Sequence, residues 1–142
     1  MIILDTNVLC EFMKPLPEPK VVLWLRNQPS ASLFTTSITQ AEIHYGICLL
    51  PEGKRRTALQ DAAAEMFRED FAGRILAFGC QEARLYAELA AERRSLGKPI
   101  SQSDAQIAAI ARSSGARLAT RNVVDFEECG LEILNPWSDP RL

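Results

Sequence analysis

Short apolar runs alternate along this chain with longer stretches whose hydrophobic residues recur at helical spacing. The first run, Met1 to Leu4, reads as a buried strand that ends abruptly at Asp5. Asn7 to Met13 follows as a short helix, stopped by the Pro15, Pro17 and Pro19 cluster because a proline ring cannot continue the helical ladder. Lys20 to Asn27 predicts a second helix with Val21, Val22, Trp24 and Leu25 facing the core. Ser32 to Thr36 is the next strand. Ser37 and Gln40 have the spacing of a capping box, which predicts a helix starting there and running through Ile43, Tyr45 and Ile47 to Leu50. A long helical stretch from Lys54 to Phe71 and a strand from Arg74 to Phe78 complete the first half.

The second half repeats the alternation. Gln81 to Leu96 is helical and ends at Gly97; Asp104 to Ser114 is helical, capped by Ser101 or Ser103, and stops at Gly115. Arg117 to Thr120 and Leu131 to Leu134 are strands, with a single helical turn at Val123 to Glu127 between them. Strands separated by helices need crossover connections. The expected fold class is therefore α/β: one three-layer α/β/α domain over residues 1–142 with a mostly parallel sheet of about five strands.

Composition narrows the functional classes. A chain of 142 residues that is 47% hydrophobic carries enough apolar material for one core. No stretch approaches the roughly 18 uninterrupted apolar residues of a membrane span, so a cytoplasmic protein is expected. Cys10, Cys48, Cys80 and Cys129 lack C-x-x-C spacing, which argues for reduced structural thiols and against a zinc site or a disulfide framework. The net charge of -2 provides no global attraction to nucleic acid. Local clusters exist at Lys54-Arg55-Arg56, at Arg93, Arg94 and Lys98, and at Arg112, Arg117 and Arg121; most such runs are solvated faces, and Arg121 is the strongest candidate for a phosphate contact.

Four acids stand where a carboxylate needs a reason. Asp5 follows the first strand directly, as a helix cap or as a site residue at the carboxyl end of a parallel strand. Glu42 shares a helical stripe with Ile38, Tyr45 and Leu49, unless that stripe is misdrawn and Glu42 is an ordinary surface residue. Asp104 extends the apolar face of Ile107, Ala108 and Ala111 at the first turn of its helix, where it could also pair with Ser101 as a capping-box acid. Asp125 follows Thr120-Arg121-Asn122 just beyond a strand and alone would be an ordinary loop residue. Carboxylates converging on one edge repel, and a divalent cation relieves that repulsion. Oxygen-only ligation suits Mg²⁺ or Mn²⁺ better than Zn²⁺, since His44 is the one histidine and has no partner at ligand spacing. Metal-activated water attacking a phosphodiester needs neither a serine or cysteine nucleophile nor a Gly-rich phosphate loop, and the chain has no motif for either.

These residues carry a resemblance. The segments MIILDTNVL, ITQAEIHYGI, PISQSDAQIAAIA and LATRNVVDF, in that order and over nearly the whole chain, resemble the PIN-domain ribonucleases, and more closely the VapC-like toxins, including their FitB-like branch. Residue by residue, Asp5, Glu42, Asp104 and Asp125 match the family's acidic positions as catalytic residues and metal ligands; Asn7, Thr120 and Asn122 match polar neighbours that orient them, with Arg121 as a supporting residue inside the same motif, and many members carry Asp in place of Asn122. The resemblance implies Mg²⁺- or Mn²⁺-dependent endonucleolytic cleavage of RNA, a homodimer, and a cognate antitoxin through which promoter DNA is bound. Two other readings remain: a repressor subunit acting mainly as a DNA-bound binding module, and, more weakly, a phosphatase using Asp5 as acceptor, which would call for a second Asp where the chain has Asn7.

Overall fold

The computed structural model describes residues 1–138; residues 139–142, which the one-domain expectation includes, lie outside the described residues. Five parallel strands form one sheet in the order β3-β2-β1-β4-β5. They are β1 (Ile2–Leu4), β2 (Leu33–Thr36), β3 (Ile75–Leu76), β4 (Arg117–Ala119) and β5 (Ile133–Leu134). The central strand β1 pairs on one side with β2, Ile2 opposite Leu33, and on the other with β4, Ile3 opposite Leu118. Strand order reverses at β1, and in sheets of this kind the crevice outside the carboxyl ends at such a reversal is the usual ligand site.

Side chains alternate across a strand, so β1 serves two cores. Ile2 and Leu4 face a core built with Val8 and Leu9 of α1 (Thr6–Phe12), Val21, Trp24 and Leu25 of α2 (Pro19–Arg26), Ile43 and Ile47 of α3 (Ser37–Cys48), and Ala63 of α4 (Lys54–Glu65). Ile3 faces the opposite core with Leu89 of α5 (Cys80–Ser95) and Ile107, Ala108, Ile110 and Ala111 of α6 (Gln102–Ser114). Helices thus cover both faces, giving the three-layer α/β/α arrangement that uninterrupted apolar strands require. His44 packs its ring against Phe67 with centroids 5.5 Å apart, a packing role.

Several boundaries differ from those read in the sequence. Helix α3 is capped by Thr36 and not Ser37: the Thr36 hydroxyl accepts the Thr39 N–H at 3.1 Å, because Thr36 still has the extended backbone of the strand end while Ser37 is already helical. Helix α2 starts one residue early, at Pro19, since proline suits the first helical position, where no N–H is needed. The stretch expected as one helix to Phe71 leaves α geometry at Glu65 and continues as a wider π turn, Met66–Asp70, that buries Met66 and Phe67. Strand β3 is shorter than expected because Phe78 leaves the sheet to meet Tyr86 edge-on, with ring centroids 6.0 Å apart. Strand β5 begins only at Ile133, after a turn in which Glu128 and Gly130 both have positive φ. Ser101, not Ser103, caps α6, accepting the Asp104 N–H at 3.2 Å.

Candidate active site

Asp5 leaves β1 with its N–H still in the sheet, donating to the Ala119 carbonyl at 2.9 Å, while its side chain is buried among Thr6, Asn7 and Thr120. Its two oxygens divide the two roles that the sequence left open. Oδ1 accepts the Thr6 N–H at 2.8 Å and so caps α1. Oδ2 accepts the Thr120 hydroxyl at 2.8 Å and the Asn7 amide at 3.3 Å. Thr120 sits just past β4, so two residues at the carboxyl ends of adjacent parallel strands are joined directly. Asn7 also donates to the Thr120 oxygen at 3.2 Å and accepts the Arg121 N–H at 3.2 Å, and the Asn122 N–H donates to Thr120 at 3.1 Å. The effect is to lock the first residues after β4 onto the start of α1, with Asp5 held at the centre.

Glu42 reaches this cluster through Thr6. The Thr6 hydroxyl lies 3.0 Å from Glu42 Oε1 and 3.1 Å from the Thr39 hydroxyl; since a carboxylate only accepts, Thr6 donates to Glu42 and accepts from Thr39. The stripe on which the sequence placed Glu42 is corrected. Tyr45 and Leu49 are both 67% exposed, and the buried face of α3 is Thr39, Ile43 and Ile47, one position round the helix. Glu42 therefore stands at the border between that face and solvent, and what ties it to the site is its bond to Thr6.

Asp104 extends a face that is fully buried at Ile107, Ala108 and Ala111, and it is itself half-buried. It borders a small cavity of about 180 Å³, lined also by Arg93, Pro99, Ile100, Ser101 and Asp125. Asp125 is exposed, on a 3₁₀ turn, Val123–Phe126. Arg121 is exposed too, its guanidinium 5.3 Å from the centre of the Trp137 ring. Arg93, counted in the sequence among surface basic clusters, is instead buried, with its guanidinium turned inward against the turn that carries Asp125. No sequence signal separated it from Arg94, because helical period alone does not reveal a carbonyl-lined cleft.

Charge couples the acids. Burial pushes the Asp5 carboxyl up from 3.8 to about 6; the Thr120 and Thr6 hydrogen bonds oppose this, and the charges of Asp104 and Glu42 add to it. Partial burial likewise raises Glu42, against the hydrogen bond from Thr6 and with further help from Asp104. Asp104 is raised first by burial, then by Asp125, with Ser101 and Arg93 acting in the opposite direction. In this conformation the acids do not close into a ligand cluster: among the described residues no group of three or more His, Cys, Asp or Glu could hold one metal ion. Even so, the donor set is carboxylate oxygen throughout, and its charges disfavour one another. Both features fit a hard divalent cation such as Mg²⁺ or Mn²⁺.

Residues 2–129 match the PIN domain, and the chain belongs to that family. It is 41% identical over 137 residues to the VapC ribonuclease Y4jK of Sinorhizobium fredii, covering 96% of this chain and 98% of that protein. It is 36% identical over 139 residues to Toxin FitB of Neisseria gonorrhoeae, covering 98% and 100%. Among solved structures, one of FitAB bound to a DNA fragment superimposes with a TM-score of 0.91 at 36% identity, covering 97% of this chain and 96% of that one.

Proposed function

We propose that this protein, as a single PIN-like domain over residues 1–142, is a metal-dependent endoribonuclease and the toxin of a type II toxin-antitoxin pair. The observation that carries this reading is Asp5, a buried carboxylate at the strand-order reversal, held by Thr120 and Asn7 and electrostatically coupled to Glu42 and Asp104. Asp5, Glu42, Asp104 and Asp125 would hold Mg²⁺ or Mn²⁺, which when bound supplies an activated water and neutralises charge on the phosphodiester. The chain's own groups then have distinct tasks. Thr120 and Asn7 keep Asp5 aimed at the crevice by holding Oδ2. Thr6 and Thr39 do the same for Glu42. Asn122 steadies Thr120 through its backbone N–H, and Arg121, exposed beside them, is available to an RNA phosphate.

The relatives support the partners. Similarity to a VapC ribonuclease, to a FitB toxin and to a chain of a DNA-bound FitAB structure supports a cognate antitoxin and DNA reached through it; that the DNA is the promoter and that the toxin is a homodimer are part of the same proposal. No helix among the described residues is long and apolar enough to cross a membrane. The test is to incubate the purified chain, free of antitoxin, with a mixed RNA pool and Mg²⁺ or Mn²⁺, with EDTA as control. Metal-dependent fragments at defined positions are expected. An intact pool, with DNA binding only when antitoxin is added, would instead identify a binding module.

A further inference from the structure

Arg93 is the buried cation that the proposed reaction does not use. It projects from α5 and is only 4% exposed, a costly position for a guanidinium unless its donors are matched. Its Nε donates to the Lys98 carbonyl at 2.7 Å; Nη1 donates to the Asp125 carbonyl at 2.9 Å and the Glu127 carbonyl at 2.8 Å, with Cys129 Sγ at 3.5 Å. Those acceptors lie on two separate segments. Lys98 opens the loop that leads into α6 and so to Asp104, whereas Asp125 and Glu127 lie on the turn after β4. The fork therefore ties the backbone of the Asp125 turn to the end of α5 and to the loop that leads into α6, beside the cavity that Asp104 and Asp125 both line. The turn needs such a tie, for it is exposed at Asp125 and is followed by Glu128 at φ 57, a left-handed conformation that a glutamate seldom adopts.

We infer that Arg93 is a positioning residue: by gathering the carbonyls of Lys98, Asp125 and Glu127 it sets the distance between Asp104 and Asp125 and so their competence as one half of the acidic site. This rests on the functional reading above. Arginine is suited to the task because its planar fork serves several carbonyls at once, whereas a lysine ammonium in the same place keeps the charge and loses the geometry. Groups that orient metal-binding side chains from outside are typically worth about 10- to 100-fold in affinity or activity.

The experiment compares the parent with Arg93→Lys, with Arg94→Lys as an exposed neighbour, and with Leu89→Ala, which weakens the α5 core without touching the cavity. Mn²⁺ binding by titration calorimetry, backbone hydrogen exchange in the metal-free proteins, and RNA cleavage are measured on each. Arg93→Lys is expected to lower Mn²⁺ affinity and kcat by about 10-fold and to speed exchange across residues 125–129, Arg94→Lys to match the parent, and Leu89→Ala to lower the melting temperature with near-parental Mn²⁺ affinity. Parental affinity and exchange in Arg93→Lys would overturn the inference while leaving the nuclease standing, as would an equal loss of affinity in Leu89→Ala, which would make Arg93 merely structural. A parent that binds no Mn²⁺ and cleaves no RNA overturns the functional reading and the inference with it.

Discussion

Asp5 accepts three hydrogen bonds and still carries a raised pKa, so for this carboxyl burial and like charge outweigh good local partners. That balance makes a prediction about pH. The group ionises near 3.8 when exposed in the unfolded chain and at about 6 in the fold. Below 3.8 it is neutral in both states and contributes nothing to pH dependence. Between 3.8 and about 6 the unfolded chain gives up the proton that the fold still holds, so metal-free stability falls across that window by about 3 kcal/mol, and the loss is complete once the pH has passed about 6 and the folded state too carries the buried charge. Glu42 and Asp104, also raised, act in the same direction; Glu11, lowered by its bonds to Lys14 and to the Glu18 N–H, acts oppositely but only at lower pH. The metal-free protein should therefore melt higher at about pH 5 than at about pH 8. Asp5→Asn should flatten that slope, melt no lower than the parent at about pH 8, and lose about 10²- to 10³-fold in RNA cleavage. Retained cleavage would show that Asp5 is not a metal ligand, and a marked drop in melting temperature at the higher pH would show that its buried charge does not oppose folding, since asparagine caps a helix as well as aspartate does.

At the level of elements, short helices after short strands place the acids, and their caps decide where each helix begins. Thr36, fully buried at the end of β2, holds the first turn of α3, whose next turn carries Glu42. Thr36→Val keeps the shape and removes the acceptor, so it should destabilise the fold by about 1 kcal/mol, whereas Ser37→Ala should be nearly neutral. Denaturant unfolding of the two variants checks this, and equal losses would restore Ser37 as the cap. The misdrawn α3 stripe is a separate error, of helical phase. A helix turns about 100° per residue, so an error of one position moves Tyr45 and Leu49 from the core to solvent, and Glu42 with them from the buried stripe to its edge. Helix α6 had no such ambiguity, because its apolar residues run almost continuously from Ala105 to Ala111.

Across the whole molecule, the acidic residues come from the end of β1, the turn that follows β4, the second turn of α3 and the first turn of α6, so the candidate site forms only when the sheet is assembled. Binding of a divalent cation there should be linked to global stability. At Mn²⁺ concentrations about 100-fold above Kd the linkage is worth about 2.7 kcal/mol, a rise in melting temperature on the order of 5–10 °C for a chain of this size. Chelation should reverse the rise and Asp5→Asn should abolish it; a parent indifferent to millimolar Mn²⁺ would remove the metal from the proposal. The amino-acid sequence by itself determined the layered parallel fold, because strands apolar on both faces must be covered on both, and helical crossovers supply the cover. It also marked Asp5 and Asp104, since a carboxylate ending an apolar run or extending an apolar stripe is out of place on local grounds alone; Glu42 was singled out by a stripe that the structure corrects, and Asp125 by no local feature of its own. Tertiary structure decided the rest. Asp5 and Thr120 are 115 residues apart and touch only because β4 chose the side of β1 opposite to β2, and Arg93 is buried rather than solvated only because the turn of Asp125 and Glu127, 32 and 34 residues further along, brings its carbonyls to α5 beside that of the nearby Lys98. Hydrophobic period is a local property of the chain; strand order and the lining of a cleft are set by contacts between segments far apart along it, which no local period records.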